Sequence, residues 1–471
     1  MRVVKMKIKI ITLLLGALLF VTVLPSPSLA IPAFARKYNL SCTSCHTKPP
    51  RLNSFGDAFH MSGFQIPMVR EGEIKGKRRI GRIMSETDLL DILAIRTTGD
   101  FLRSFSGGTK EETNIVLLDL SIYLAGTVTD GISYFFELEN EAMKIEGISG
   151  GRFETGAGLG LGKEFFVMFD LPALLNDSGM AGRPKGMHHR AGGMLHGPMV
   201  MVGKIDPSTN FSYPTNRQLI PNLPGRVSSD GKMERFGLTP YAFASKFFGV
   251  MTADSESVEV TQPVLYNTTG DLGVDLHAMI GSVMIQAGLM QGLGAGPTDS
   301  DQKKDPYLMG RVNFGGTDDL SGSLSGLVYR GFDTARVPTG ADGTASVDWL
   351  RYGISGNIRR RFLDLYGAFI WDALKGVPRT AGFEDSASGL TVEGDYLATD
   401  RMLLSLRYDH LNSGGVAVQK VDGRVITAQT RYYMRDNFSF YLRDSYNVDS
   451  ASYNGLRNFK NLIAFGLDFD L

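Results

Sequence analysis

The feature that most constrains this chain is an alternation of apolar and polar side chains, every second residue, through its C-terminal half. In the stretch 402–410, one face of an extended chain collects the apolar residues Met402, Leu404, Leu406 and Tyr408. The stretches 307–314, 426–434 and 438–443 repeat the pattern. Such alternation over segments of about ten residues is typical of β-strands that cross a membrane.

The connections between these strands alternate in length. The short ones centre on Gly281, Thr317, Arg360, Thr399 and Asp436. The long ones occupy residues 293–305, 331–346, 372–387, 412–423 and 448–458. Outer-membrane barrels have short periplasmic turns and longer external loops, whereas a periplasmic β-sandwich or propeller, the alternative fold, has no reason to sort its connections by length. We therefore predict an all-β transmembrane barrel over residues 80–471, with about 16 antiparallel strands and a range of about 14–18.

The first half of this region is less regular. Residues 116–139 form a predicted hairpin with its turn at Asp130 and Gly131, and 165–169 and 199–205 are further predicted strands. The stretch from 171 to 197 shows no period and contains the histidines His188, His189 and His196. A barrel of this size encloses an aqueous lumen. The charged residues assigned to the lumen face are Arg311, Arg351, Arg407, Asp409, Arg431 and Arg443.

Both ends of the chain carry predicted targeting signals. Residues 1–30 combine a basic start, the apolar run Ile10–Leu24 and the small-residue ending Ser28–Ala30, which is typical of a cleaved secretory signal peptide. The apolar run is shorter than the roughly 20 residues that a membrane helix needs, so an uncleaved anchor is the weaker alternative. The last strand ends at Leu471 and resembles the C-terminal signal of outer-membrane proteins, whose last residue is commonly Phe. Basic and acidic residues number 49 each, so no nucleic-acid partner is expected.

The two cysteines of the chain lie in the sequence Cys42-Thr43-Ser44-Cys45-His46, which is the attachment pattern of c-type haem. Two thiols at this spacing add to the two vinyl groups of haem, and His46 can then coordinate the iron from the proximal side. A redox disulfide would be expected at the start of a helix in a βαβ domain, and a zinc site would need more ligands nearby. The sequence therefore predicts one covalent haem c.

A short helix is predicted over residues 51–64, beyond this motif. Three apolar residues on one stripe of the helix would form a wall against the haem, namely Leu52, Phe55 and Phe59. His60 and Met61 lie beside the stripe, and either could be the sixth iron ligand. A histidine would give a lower reduction potential than a methionine. The sequence is also compatible with ligation by Met68, with ligation by a residue of the barrel, and with an open sixth position.

The predicted haem segment, residues 31–75, is small for a cofactor with two large apolar faces. Domains of roughly 40 residues rarely bury a sufficient core without a covalent or metal staple. We therefore expect this segment to plug or line the lumen, so that the barrel supplies the walls that the segment cannot provide by itself.

Residues on both sides of the haem motif carry a resemblance to a known family. They are Pro32, Phe34, Ala35, Arg36, Cys42, Cys45, His46, Leu52, Phe55, Gly56 and Phe59. In this pattern the chain resembles the fused monohaem cytochrome–porins of the outer membrane, best known from iron-oxidising bacteria. The resemblance implies an electron conduit embedded in outer-membrane lipid. One haem would pass single electrons from an extracellular donor such as Fe(II) to a periplasmic cytochrome or another carrier.

Other functions stay open at this point. The chain could be a solute porin whose plug carries the haem, or an exported cytochrome that sends electrons outward. A periplasmic redox enzyme is the weakest alternative, because no acid–base or nucleophile group stands out in the sequence. The one enzymatic role that stays open is the oxidation of Fe(II). His188, His189 and His196 could capture iron, although histidines in glycine-rich loops are usually solvated.

Overall fold

This computed structural model describes part of the chain, and the predicted elements fall largely within that part. The described residues are 32–49, 51–66, 77–80, 83–86, 92–105, 112–129, 131–140, 144–145, 159–175, 197–205, 211, 271–291, 303–317, 320–336, 344–375, 386–413, 421–448 and 461–470. Outside them lie the predicted signal peptide at 1–30, the candidate ligand Met68, the histidines His188, His189 and His196, and the terminal Leu471. None of the helices in the described part combines the length and the apolar composition that a membrane crossing requires.

Short elements precede and interrupt the main sheet. The helices are α1 (Pro32–Tyr38), α2 (Cys42–Cys45), α3 (Ser54–Met61) and α4 (Leu171–Leu175). Two antiparallel strand pairs stand apart from the main sheet, namely β1 (His46–Lys48) with β2 (Arg51–Leu52), and β3 (Lys77–Ile80) with β4 (Ile83–Glu86). The first pair and the first three helices belong to the predicted haem segment.

The main sheet is a closed barrel. Its strands are β5 (Leu93–Phe105), β6 (Glu112–Thr129), β7 (Ile132–Asn140), β8 (Lys144–Ile145), β9 (Leu159–Asp170), β10 (Met199–Ile205), β11 (Asp271–Ile280), β12 (Val283–Met290), β13 (Asp305–Thr317), β14 (Leu320–Arg336), β15 (Thr344–Arg360), β16 (Leu363–Lys375), β17 (Ser386–Thr399), β18 (Met402–Ser413), β19 (Val421–Arg435), β20 (Phe438–Asn447) and β21 (Asn461–Asp470). The last strand pairs with the first, in a register that sets Asp470 opposite Arg96.

The predicted fold class is confirmed. The two-residue β8 pairs with β6 beyond the end of β7, so 16 full strands close the barrel within the described part of the chain. All neighbouring strands run antiparallel, and the hairpin predicted around Gly131 and the strand predicted at 199–205 are both present. Closure leaves the described strands of the main sheet without an unpaired edge, which is the condition for a β-sheet to stand in lipid.

Short turns collect at one end of the barrel. They join β6 to β7, β11 to β12, β13 to β14, β15 to β16, β17 to β18 and β19 to β20, in agreement with the predicted centres. The connection from β9 to β10 is an exception, because it is long and yet starts and ends at this same end: Asp170 pairs with Met199 and donates its backbone N–H to Gly131 O (2.8 Å). The described residues at both ends of this connection therefore lie at the short-turn end, which is periplasmic in such barrels.

The two faces of the wall have opposite character. Outward-facing residues are large and apolar, and Ile280 and Leu406 are 67% and 59% exposed. Inward-facing residues include all six charged residues assigned to the lumen, and Arg407 and Arg443 are 2% and 0% exposed. An apolar exterior of this extent is stable in a bilayer and costly in water. The barrel is therefore a transmembrane barrel of the outer-membrane type.

The barrel begins later than the sequence suggests. Its first strand starts at Leu93, whereas the alternation pattern places the start of the barrel at residue 80. The residues in between include β4, which pairs with β3 outside the main sheet.

Candidate functional site

The predicted haem segment lies inside the barrel, at the short-turn end. We call residues 32–66 the plug. At its start, Arg36 Nη2 donates to the carbonyl oxygen of Leu93 on β5 (3.1 Å), and Lys37 Nζ donates to Thr127 Oγ1 on β6 (2.9 Å). These contacts attach α1 to β5 and β6, the first two strands of the barrel in chain order.

Later plug residues meet strands progressively farther around the wall. The contacts, in chain order, are Pro49 with Tyr433 on β19 (2.8 Å), Leu52 with Arg359 on β15 (3.1 Å), Asp57 with Arg311 on β13, and Met61 with His277 on β11 (3.1 Å). The end of the plug reaches β7, where the ring of Phe64 stacks on Phe135 with centroids 5.7 Å apart. The plug therefore makes one complete circuit of the lumen and returns beside its starting point.

Arg51 is the principal ionic anchor of the plug. Its guanidinium pairs with Asp364 on β16 (3.0 Å) and with Glu393 and Asp395 on β17 (2.6 and 2.8 Å). Its side chain is 2% exposed, and burial alone would lower the pKa of Arg51, but the three carboxylates outweigh burial and hold that pKa above its ordinary value. Charge-assisted bonds of this kind are about twice as strong as neutral ones, and the planar guanidinium fixes their directions.

Aromatic rings fill the interior of the plug. Phe59 meets the rings of Phe34 and Tyr38 edge to face at 5.3 and 5.5 Å. Phe34 also stacks on Phe64 at 4.8 Å. Phe55 stacks on Phe59 at 6.3 Å, as two residues of the predicted haem wall should if they share a stripe. The plug therefore has an aromatic core of its own.

The CxxCH motif lies at the short-turn mouth of the barrel. Helix α2 is a single turn, and residues three apart on a helix are neighbours, so the two thiols share one face. Both cysteines are free thiols and half-buried. Burial, together with nearby Asp436, raises the pKa of Cys42 to about 12, and burial raises the pKa of Cys45 to about 11. Asp436 belongs to the short turn between β19 and β20, so the motif lies at the short-turn end of the barrel.

Two residues hold α3 against this motif. Asn53 donates its backbone N–H to Cys45 O (2.9 Å) and its side-chain amide to Ser44 O (3.0 Å), while its Oδ1 accepts from the backbone N–H of Gly56 (2.9 Å). A Cβ atom at Gly56 would overlap the carbonyl oxygen of Cys45. Gly56 is part of the sequence motif, but the role of Asn53 was missed, although an Asn before a helix is a common N-cap.

The remaining predicted site residues are buried near α3. Leu52 lies in β2 and not in the helix, because α3 starts at Ser54. The ring of His60 is 5.3 Å from that of Phe64, and Met61 is 1% exposed. The structure thus buries both candidate sixth ligands.

The lumen has two unlike halves. Strands β9–β13 contribute a methionine wall, which consists of Met168, Met199, Met201, Met279, Met284, Met290 and Met309. Phe59, Met61 and Phe64 of the plug join these residues in one apolar cluster. Strands β15–β21 contribute a charged wall, which consists of Arg351, Arg359, Asp364, Glu393, Asp395, Arg407, Asp409, Arg431, Arg443 and Asp468. The alternation placed Met309 on the lumen face, but it gave no sign that methionines would collect on one side of the lumen, where they lie among buried polar residues such as Asp275 and Arg311.

The residues at the mouth fit a covalent haem. Neutral thiols on one face of a helical turn, a histidine directly after them and a buried aromatic cluster are the groups that attachment and shielding require. Across the described residues, no group of three or more His, Cys, Asp or Glu side chains could hold a separate metal ion.

The known proteins that are similar to this chain are solved structures. No family model matches the chain, and neither does any curated protein. Among solved structures, the chain is similar to the anion-selective porin of Comamonas acidovorans (13% identity, 81% of this chain and 98% of that chain, TM-score 0.46) and to OmpF of Salmonella typhi in complex with daunomycin (9%, 80% and 97%, 0.45). It is also similar to in-vitro folded OmpT of Vibrio cholerae (11%, 84% and 99%, 0.44). The assignment of a transmembrane barrel rests on strand pairing and on the two faces of the wall.

Proposed function

We propose that this chain is an outer-membrane electron conduit. One haem c is attached through Cys42 and Cys45, with His46 as proximal ligand, and single electrons pass between an extracellular donor and a periplasmic carrier. The observation that carries this proposal is the position of the CxxCH motif, which lies within the mouth of a membrane-spanning barrel. When bound, the haem supplies a one-electron couple. Membership of the cytochrome–porin group is part of the proposal and rests on the matched residues from Pro32 to Phe59.

The chain's own residues have three tasks in this proposal. The thiols and His46 fix the cofactor, the aromatic core of the plug excludes water from it, and the circuit of wall contacts holds the plug in the membrane. The short-turn end faces the periplasm, so a soluble periplasmic cytochrome or another carrier can approach α2 directly.

The donor in this proposal is dissolved Fe(II). In this proposal the ion approaches the haem through the lumen, which is lined in part by the charged wall. Outer-sphere transfer needs close approach of the ion to the haem edge and does not need a tight iron site. The sequence of the plug is equally compatible with electrons moving outward, from a periplasmic donor to an external acceptor.

A solute porin with a haem-bearing plug is the second candidate. It is favoured by the closed barrel of 16 strands and its polar inner face. The plug argues against it, because it contacts the wall on β5, β7, β11, β13, β15 and β19 and leaves little room for a wide pore. The two candidates differ in what crosses the membrane.

Liposomes separate the two candidates. The protein is reconstituted with a redox dye inside, Fe(II) is added outside, and dye reduction is followed together with the efflux of a small sugar. We expect dye reduction without sugar efflux, and loss of dye reduction in the variant with Cys42→Ala and Cys45→Ala. Rapid sugar efflux with unchanged dye reduction in this variant would establish the porin instead.

A further inference from the structure

We infer that His60 supplies the second axial ligand of the haem, and that Met61 belongs to the contact between plug and barrel. This assignment rests on the proposed function and adds to it the ligand set of the site. Sequence spacing left the two adjacent residues open. The orientation of α3 separates them.

The face of α3 that meets the haem motif is marked by Gly56. Only the lack of a side chain at Gly56 allows α3 to cross the carbonyl of Cys45, and Asn53 ties the first turn of α3 to α2. Successive residues of an α-helix are rotated by about 100°, so His60 lies about 40° from Gly56 around the axis, one turn farther along. His60 therefore extends from the face of α3 that meets the attachment motif.

Met61 lies about 140° from Gly56 around the same axis, on the opposite side of α3. Its carbonyl oxygen, which can only accept, is 3.1 Å from Nε2 of His277 on β11. His277 is held in turn through Nδ1 by Asp275 (2.7 Å). The side chain of Met61 is 1% exposed and joins the methionine wall. The main-chain carbonyl and the side chain of Met61 thus both contact the barrel.

The surroundings of His60 differ from those of Met61. His60 is 8% exposed, and its ring meets Phe64 edge to face within the aromatic core of the plug. Phe64 is joined to α1 through Phe34 and Tyr38. An imidazole held by packed rings keeps a fixed orientation, which an axial ligand needs. Two histidine ligands also give the haem a lower potential than a histidine–methionine pair does.

The experiment compares ferric spectra of the purified holoprotein and three variants. We expect the wild type to be low-spin without the red-edge charge-transfer band of a methionine sulfur ligand. His60→Ala should become high-spin, and His60→Met should gain that band. Met61→Leu keeps the side-chain volume and should leave the spectrum unchanged. Far-ultraviolet circular dichroism and haem staining on denaturing gels confirm that each variant retains the barrel and the covalent haem.

Three results would overturn the assignment. They are a methionine band in the wild type, loss of the low-spin spectrum in Met61→Leu, and an unchanged low-spin spectrum in His60→Ala. In each of these cases covalent haem and transmembrane dye reduction can persist, so the ligand assignment fails and the conduit stands. Absence of covalent haem from the wild type would instead remove the conduit itself.

Discussion

The hydroxyl of Tyr38 donates a hydrogen bond to the carbonyl oxygen of Phe64 over 2.7 Å, and this bond joins the two ends of the plug. Phe34 reinforces the junction, because its ring stacks on that of Phe64. The plug is therefore a closed loop inside a closed barrel. Each contact with the wall restrains a segment that is already restrained at both ends, so the entropy lost on docking is smaller than for an open chain.

Tyr38→Phe tests this junction. The substitution removes one hydrogen bond and keeps the ring that meets Phe59, so we expect the plug to lose about 1 kcal/mol of stability. Hydrogen exchange should then be faster at α1 and around Phe64, while the barrel strands keep their protection. Tyr432→Phe is the matched control, because Tyr432 lies on the outer face and is 45% exposed. Equal exchange in the wild type and Tyr38→Phe would show that the junction contributes nothing.

Arg51→Met tests the ionic anchor. The variant removes the cation that Asp364, Glu393 and Asp395 share, although Arg359 still pairs with Asp364 (3.1 Å) and Arg407 with Glu393 (3.8 Å). Removing one partner of a buried ion pair costs about 3–5 kcal/mol. We expect the plug to become sensitive to added protease and the barrel to conduct ions in planar bilayers. Arg401→Met is the control, since Arg401 is exposed in the turn between β17 and β18. A variant that stays closed and protected would show that the remaining wall contacts suffice.

The alternation of side chains was enough to predict the barrel. A residue in a membrane strand faces either lipid or lumen, so Leu406 and Arg407 each had one possible side, and the structure places both as predicted. Connection lengths carried the rest, because short and long connections occur at opposite ends. The late start at Leu93 was not visible, because strands of the N-terminal half alternate less strictly.

The candidate site was predictable only in its local part. The spacing of Cys42, Cys45 and His46 carries its own chemistry, and the attachment of haem stays a prediction. The circuit of the plug was not predictable, because nothing in one sequence says that Arg51 meets Asp395 more than 340 residues later. The close packing at Gly56 was not predictable either. A residue without a side chain is needed there only because α3 crosses α2 at this point.

The thiols provide a pH-dependent test in haem-free protein. The thiolate is the reactive form of cysteine, and its ordinary pKa is about 8.5. Because burial raises the pKa of Cys42 to about 12 and that of Cys45 to about 11, alkylation of the folded protein near pH 8 should be slower than that of glutathione by roughly 100-fold or more. The rate should keep rising to about pH 11, whereas after unfolding in urea it should level off near pH 9.

The raised pKa values of the two thiols also determine the direction in which pH changes the stability of the docked plug. A raised thiol pKa means that the folded state holds its proton more tightly than the unfolded state. The protonated thiols therefore stabilise the docked plug fully at pH values below the ordinary thiol pKa. This stabilisation is lost as the pH rises towards the raised pKa values. A folded protein whose alkylation levels off near pH 9 would show that α2 is not docked in the barrel mouth.

Gly56→Ala tests the crossing on which the haem motif depends. The added methyl group would overlap the carbonyl oxygen of Cys45, which is backbone and cannot move aside alone, so α3 must separate from α2. We expect the variant to form its barrel but to carry less covalent haem, as measured by haem staining relative to protein. Gly310→Ala is the control, because a Cβ atom there meets nothing within 4 Å and Gly310 lies on the outer face. If both variants carried the wild-type amount of haem, the close contact between Gly56 and Cys45 would not be needed for attachment. Gly56 would then no longer show which face of α3 lies towards the haem.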